Sequence, residues 1–291
     1  VTGRVVLVVG ASSGIGAATV GALCAAGDSV VAVARSSDGL ARLAEQNPAA
    51  QTVAADVLDA DALARVVAEL VAAHGRLDAV VHTAQVMAYG RIEDVPAATF
   101  EHVVDTAIHG TANLARAVLP QLRSQGRGTF VIVNSLLGQI ATPQMGAYDV
   151  GKWGQLGLAR VLRLELRDVP GVHVCTVSPG AINTPIYDQA ANYAGRGGFP
   201  PPPVLPAERA AASIMRLLDH PRRHVNVGPL NIPTELGFRY APWLYERIVG
   251  PLVTRFVFRG ARSADNDGNV FAPVPRAEGV HGRWSWSGRA S

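Results

Sequence analysis

Cysteine is scarce in this chain of 291 residues, which has only Cys24 and Cys175. Two thiols so far apart form neither a disulfide framework nor a zinc motif. Cys24 lies in an alanine-rich stretch and Cys175 in an apolar run, so both read as buried thiols. An excess of one charge sign is also lacking, since the formal net charge is +3. No basic stripe with interleaved aromatics is present, and no nucleic-acid partner is expected. No apolar run is long enough to span a bilayer. The first residues enter a strand pattern directly, without a leader-like apolar region and cleavage site, so the cytosol is the expected compartment.

What is present is a rhythm. Apolar residues make up 48% of the chain, enough for one substantial core. Residues 5–9 are apolar at every position, as a strand covered on both faces requires. Further strands are expected over 29–34, 51–54, 77–81, 129–133, 172–177 and 224–227. Helices are expected over 14–26, 38–46, 59–73, 100–124 in two pieces, 147–167 and 206–218. Asp59 reads as an N-cap, with Gly75 just past the helix end. Alternation of this length implies right-handed βαβ crossovers and a doubly wound parallel sheet of about seven strands, Rossmann-like, in an α/β fold. Ligands bind such sheets at the carboxyl ends of the strands.

The organisation expected is a dinucleotide-binding catalytic domain over 1–232 and an extension over 233–291. The extension packs on the domain or on an oligomer interface, with its end from residue 261 turn-rich and laid along the surface. Residues 185–203, with Tyr187, Tyr193, Phe199 and a run of prolines, follow the sixth strand and read as a substrate lid.

Gly10, Ser12, Ser13, Gly14, Ile15 and Gly16 lie between the first strand and first helix. Glycine allows the tight turn and close backbone approach that a phosphate needs, and the helix N-terminus offers free N–H groups. Arg35 follows the second strand, where a carboxylate would grip the ribose hydroxyls of NAD and an arginine suits the extra phosphate of NADP. With no carboxylate there, NADP(H) is favoured over NAD(H). Asp56 reads either as an acceptor for adenine or as a loop or cap residue. Tyr148 and Lys152 stand four apart, on one helical face. A nearby ammonium lowers a phenol's pKa, so the pair suits proton exchange with a carbonyl or alcohol oxygen. Ser135, just after the fifth strand, is placed to hold that oxygen.

Residues 10–16, Ser135, Tyr148, Lys152 and Ser178-Pro179-Gly180 together resemble the short-chain dehydrogenase/reductase superfamily, over roughly the first 230 residues. The resemblance implies a nicotinamide cofactor, hydride transfer, and commonly a homo-dimer or homo-tetramer. It makes Tyr148 the proton donor in reduction and Ser135 the group orienting the substrate oxygen. Lys152 would hold the nicotinamide ribose and depress the phenol pKa. Pro179, Gly180, Ile182 and Thr184 would position the nicotinamide end, Asp56 and Val57 would sit beside adenine, and Ala84 would face the cofactor.

Three positions depart from that family's pattern. An Asn-Asn-Ala-Gly segment is His82-Thr83-Ala84-Gln85 here, Ala107 stands at the usual central-helix Asn, and Val9 replaces a Thr. His109 is either a substitute in a water chain or a packing or capping residue. The lid aromatics favour an apolar carbonyl substrate, while Arg196 leaves an acidic one open. Residues 243–259, with aromatics and three arginines, are read as a flap on the domain or a sister subunit in preference to a membrane-surface contact. Ala107 and Gln85 motivate a second class, a nucleotide-binding regulatory protein with weak or no turnover. A structural or partner-binding scaffold is a third. The intact Ser135, Tyr148 and Lys152 argue for the enzyme.

Overall fold

The computed structural model describes residues 3–274 and 278–288. Residues 1–2, 275–277 and 289–291 of the two expected regions lie outside them. The strand patterns form β1 (Val5–Val9), β2 (Ser29–Ala34), β3 (Ala50–Ala54), β4 (Ala79–His82), β5 (Gly128–Val133), β6 (Val172–Pro179) and β7 (His224–Val227). All pair in parallel, in the order β7-β6-β5-β4-β1-β2-β3. The winding therefore reverses between β1 and β4, and the two connections leave a crevice above that point.

The longer helices are α1 (Gly14–Ala25), α2 (Ser37–Gln46), α3 (Ala60–His74), α4 (Ala97–Gln125), α5 (Gly146–Glu165), α6 (Ala207–Asp219), α7 (Asn231–Tyr240) and α8 (Pro242–Phe256). Caps explain several boundaries. Asp59 accepts a hydrogen bond from the Ala62 N–H at 2.8 Å, and Gly75 ends α3 in the left-handed region. Apolar residues alternate across β1, so Leu7 and Val9 join a core under α3, α4 and α5 while Val6 and Val8 join one under α1 and α6. Each face of the sheet is thereby sealed.

Three expectations are corrected. The helix after β4 is one continuous element although Pro120 lies inside it. Val103, Ala107, Leu114, Val118 and Leu122 keep a single buried stripe through that point, which outweighs the hydrogen bond that proline removes. Cys24 is half-buried rather than buried, since it lies towards the edge of α1; Cys175 is buried. The segment after residue 261 is more than a surface tail, because Val270 and Trp284 are buried core members. It runs back across the carboxyl edge of the sheet as a strap. Asn266 pairs with Asn192, and the Trp284 N–H reaches Asn183 Oδ1 at 3.0 Å.

Candidate active site

The turn after β1 brings backbone to the crevice. Gly10 and Gly14 adopt positive φ, and Gly14 faces the Thr184 methyl, which a Cβ there would approach to 3.1 Å. Thr83 pins the turn from β4, its hydroxyl donating to the carbonyls of Val9 (2.9 Å) and Gly10 (3.0 Å). A cleft of about 150 Å³ opens here. The turn residues Gly10, Ser12, Ser13, Gly14, Ile15 and Gly16 line it with Arg35, Asp56, Val57, Ala84 and Thr184.

Beside it lies a second cavity of about 440 Å³, lined by Ser135, Tyr148, Lys152, Pro179, Gly180 and Ile182. Ile15, Thr83, Gln85 and Thr184 border both, so the two make one trough. All the site residues expected from the sequence therefore line this trough. Gln85 Oε1 is buried at the junction with no hydrogen-bond partner among the described residues. A trough with a backbone-lined helix N-terminus at one end, an unsatisfied acceptor midway and titratable groups at the other fits a dinucleotide.

In the second cavity Ser135 caps a short turn, its hydroxyl accepting from the Leu137 N–H at 3.1 Å. Burial pushes the Tyr148 phenol up to about 12, while a hydrogen bond with the Ser135 side chain pulls the other way. Lys152 is fully enclosed, and burial lowers its ammonium to about 7. The Lys152 Nζ donates to Val133 O (3.0 Å) and Gln155 Oε1 (3.0 Å) and lies 5.7 Å from the Tyr148 ring centroid. Desolvation therefore dominates both groups.

Gln155, which sequence reading missed, is the hub of this network. It is fully buried and accepts from Lys152 Nζ and Asn134 Nδ2. It donates to Thr111 Oγ1 at 2.9 Å. Thr111 in turn bonds His82 Nε2 at 3.0 Å. Burial, and then the Lys152 charge, push the His82 imidazole down to about 3, so it is neutral at physiological pH.

Ala107 offers no side chain to this network, but its carbonyl accepts from the Thr111 hydroxyl. A Cβ on Gly151 would come within 2.9 Å of the Ala107 methyl, so α4 and α5 touch here. Composition carries a further signal for the lysine already singled out by its spacing from Tyr148. Lys152 is the only lysine in the chain, among 26 basic residues. Arginine serves wherever a permanent charge suffices, whereas only lysine can lose its proton on burial.

Other expectations fail on geometry. His109 is exposed and bonded to Asp105 at 2.9 Å, away from the network. Tyr193 does not line the cavity, because its hydroxyl turns outward to Asp267 and Thr99. Arg196 is bound to the Gly260 carbonyl and leaves the cavity without its charge. Ile186, Tyr187 and Phe199 of residues 185–203 do line it, closed from the far side by Leu252, Val253, Phe256 and Val257. The expected lid is held down rather than free, with Trp284 packed edge-on against Tyr187 and Phe199. Among the described residues, no helix is long and apolar enough to cross a membrane.

The model of the family described as short chain dehydrogenase matches residues 4–193. An uncharacterised oxidoreductase of Staphylococcus haemolyticus is 32% identical over 232 residues, 79% of this chain and 96% of that protein. A metagenomic short-chain oxidoreductase solved with NADP superposes with a TM-score of 0.66 at 27% identity, over 78% of this chain and 99% of that one. A short chain dehydrogenase from Mycobacterium paratuberculosis bound to NAD gives 0.68 at 26% identity, over 77% and 96%.

Proposed function

This chain belongs to the short-chain dehydrogenase family, and from that premise we propose that it reduces an apolar ketone or aldehyde, or oxidises the matching alcohol, with Tyr148 as the acid/base. The observation that carries the reading is the continuity of the cofactor-sized trough with the cavity holding Ser135, Tyr148 and Lys152. Gly10, Ser12, Ser13, Gly14, Ile15 and Gly16 would hold the diphosphate of the coenzyme, with Asp56 and Val57 beside adenine. Ala84, Lys152, Tyr148, Pro179, Gly180, Ile182 and Thr184 would hold the nicotinamide half. A bound nicotinamide coenzyme supplies or accepts the hydride.

The chain's own groups handle the proton. Ser135 Oγ holds the carbonyl oxygen, and the Tyr148 phenol delivers its proton there as charge develops. A phenol raised to about 12 is fully protonated at neutral pH, the form a donor requires. Lys152, when protonated, favours the phenolate left behind. Apart from Thr83, Gln85, Asn134, Ser135, Thr142, Tyr148, Lys152 and Thr184 the cavity wall is mostly apolar, with Met87, Leu137, Met145, Tyr187, Phe199, Val253 and Phe256. This supports an apolar substrate.

Arg35 with Ser36 at the end of β2 supports NADP(H) over NAD(H). Exposed Val161 and Leu164 on α5 support self-association into a homo-dimer or homo-tetramer. The deciding test is carbonyl-dependent loss of NADPH absorbance by the chain and by Tyr148→Phe. Turnover should fall by roughly 10²–10⁴-fold, far more than dinucleotide affinity does. Turnover that survives the substitution refutes the acid/base assignment.

A further inference from the structure

The far end of the cleft is not formed by the Rossmann-like unit alone. Glu278, on the strap, sends its carboxylate between the turn after β1 and the first turn of α2. It accepts from Ser36 Oγ at 2.9 Å and from Arg42 Nη2 at 2.7 Å, and its side chain is only 6% exposed. A Cβ on Gly39 would strike this carboxylate and would stand 2.8 Å from Ser12 Cβ, so the carboxylate is wedged against the turn. Ser36 also accepts from the Gly39 N–H, which makes it the cap of α2. The preceding residue, Arg35, donates to the strap carbonyls of Asn269 (2.8 Å) and Val270 (3.0 Å).

An anion is thus held by a hydroxyl and a guanidinium at a helix N-terminus, while the neighbouring Arg35 guanidinium is turned to the strap carbonyls and lies 3.8 Å from Asp56. A hydroxyl and a guanidinium so placed are the donor set a phosphate monoester uses. Taking the trough as a dinucleotide site, as above, this is the adenosine-ribose end. We propose that Glu278 is a specificity-determining residue for the coenzyme, its carboxylate occupying the seat of a ribose 2′-phosphate. NADP(H) must displace it, whereas NAD(H), which carries a hydroxyl at that position, need not. The carboxylate does not yield freely, because the strap is tied just after it. The Gly279 carbonyl accepts from the Gly14 N–H at 2.8 Å, and Trp284 is anchored on Asn183. A like charge placed in a phosphate seat lowers affinity for the phosphate and leaves affinity for a neutral group unaffected. Glu278 therefore narrows the preference that Arg35 and Ser36 set.

The test measures equilibrium binding, independent of turnover. Wild type, Glu278→Gln and Glu278→Ala are titrated with NADPH and NADH by nicotinamide fluorescence. They are also titrated with 2′,5′-ADP and 5′-AMP by calorimetry. Glu278→Gln keeps the size of the side chain and removes its charge, so it reads the electrostatic role even if the alanine variant loosens the strap. NADPH and 2′,5′-ADP should bind about tenfold tighter or more to both variants, while NADH and 5′-AMP stay within about twofold. Equal shifts for both pairs, or no shift, overturn the role of Glu278 and leave the dinucleotide reading standing. Failure of all four probes to bind any of the three proteins overturns both.

Discussion

Replacing Gln155 with leucine should shift the titration of Lys152, and the size of the shift follows from the geometry. Leucine fills the same buried space between α4 and α5 but removes the Oε1 that accepts from Lys152 Nζ, leaving the Val133 carbonyl as its acceptor. A hydrogen bond to a charged group contributes about 1.5–3 kcal/mol. At about 1.4 kcal/mol per pKa unit, its loss lowers the ammonium by roughly 1–2 units. From about 7 in the wild type, the variant should titrate near 5–6. Because the chain has a single lysine, side-chain ¹⁵N-labelled lysine gives one Nζ resonance that can be followed through pH without assignment. The sign for stability follows. A lower folded pKa penalises the charged form, so that part of the destabilisation is fully present below pH 5 and fades as pH rises through 7. Thermal unfolding at pH 5 and pH 9 should therefore show the larger deficit at pH 5. An Nζ titration that stays near 7 in Gln155→Leu, or moves upward, refutes the idea that this amide sustains the buried charge.

Two further outcomes are expected. Arg35→Ala should weaken NADPH binding more than NADH binding, and equal losses would remove the guanidinium from the phosphate seat. Since burial holds the Tyr148 phenol near 12, alcohol oxidation, which needs the phenolate, should rise steeply with pH from 7 to 10 while carbonyl reduction does not. Initial rates in both directions across that range check this, and a flat oxidation profile contradicts the assignment.

The sheet was legible because each strand carries its own local signal. The apolar run of β1, the Gly75 stop after α3 and the glycines of the first turn act within a few residues of themselves. Ser135, Tyr148 and Lys152 were legible for a similar reason, since the pair on α5 is spaced by one helical turn and the serine directly follows a strand. The Gln155 hub was not, because its partners at 82, 111, 134 and 152 converge only once α4 and α5 have packed across the sheet. His109 shows the same limit from the other side. One hundred degrees per residue carries it away from Ala107 towards solvent, and position in the sequence alone suggested proximity. The strap was hidden most completely. Its segment has no helical or strand period, and its contacts with Arg35, Ser36 and Gly14 depend on the finished edge of the sheet.

Ser36 and Glu278 are 242 positions apart, which matters for a chain made from one end. A ribosome delivers the mononucleotide-binding half long before the residue that closes over it, so early folding leaves that half open. Such far-flung closure is slow relative to local structure. A nascent chain stalled before residue 278 should therefore leave the turn after β1 uncovered, and emergence of the strap is the event that shutters it.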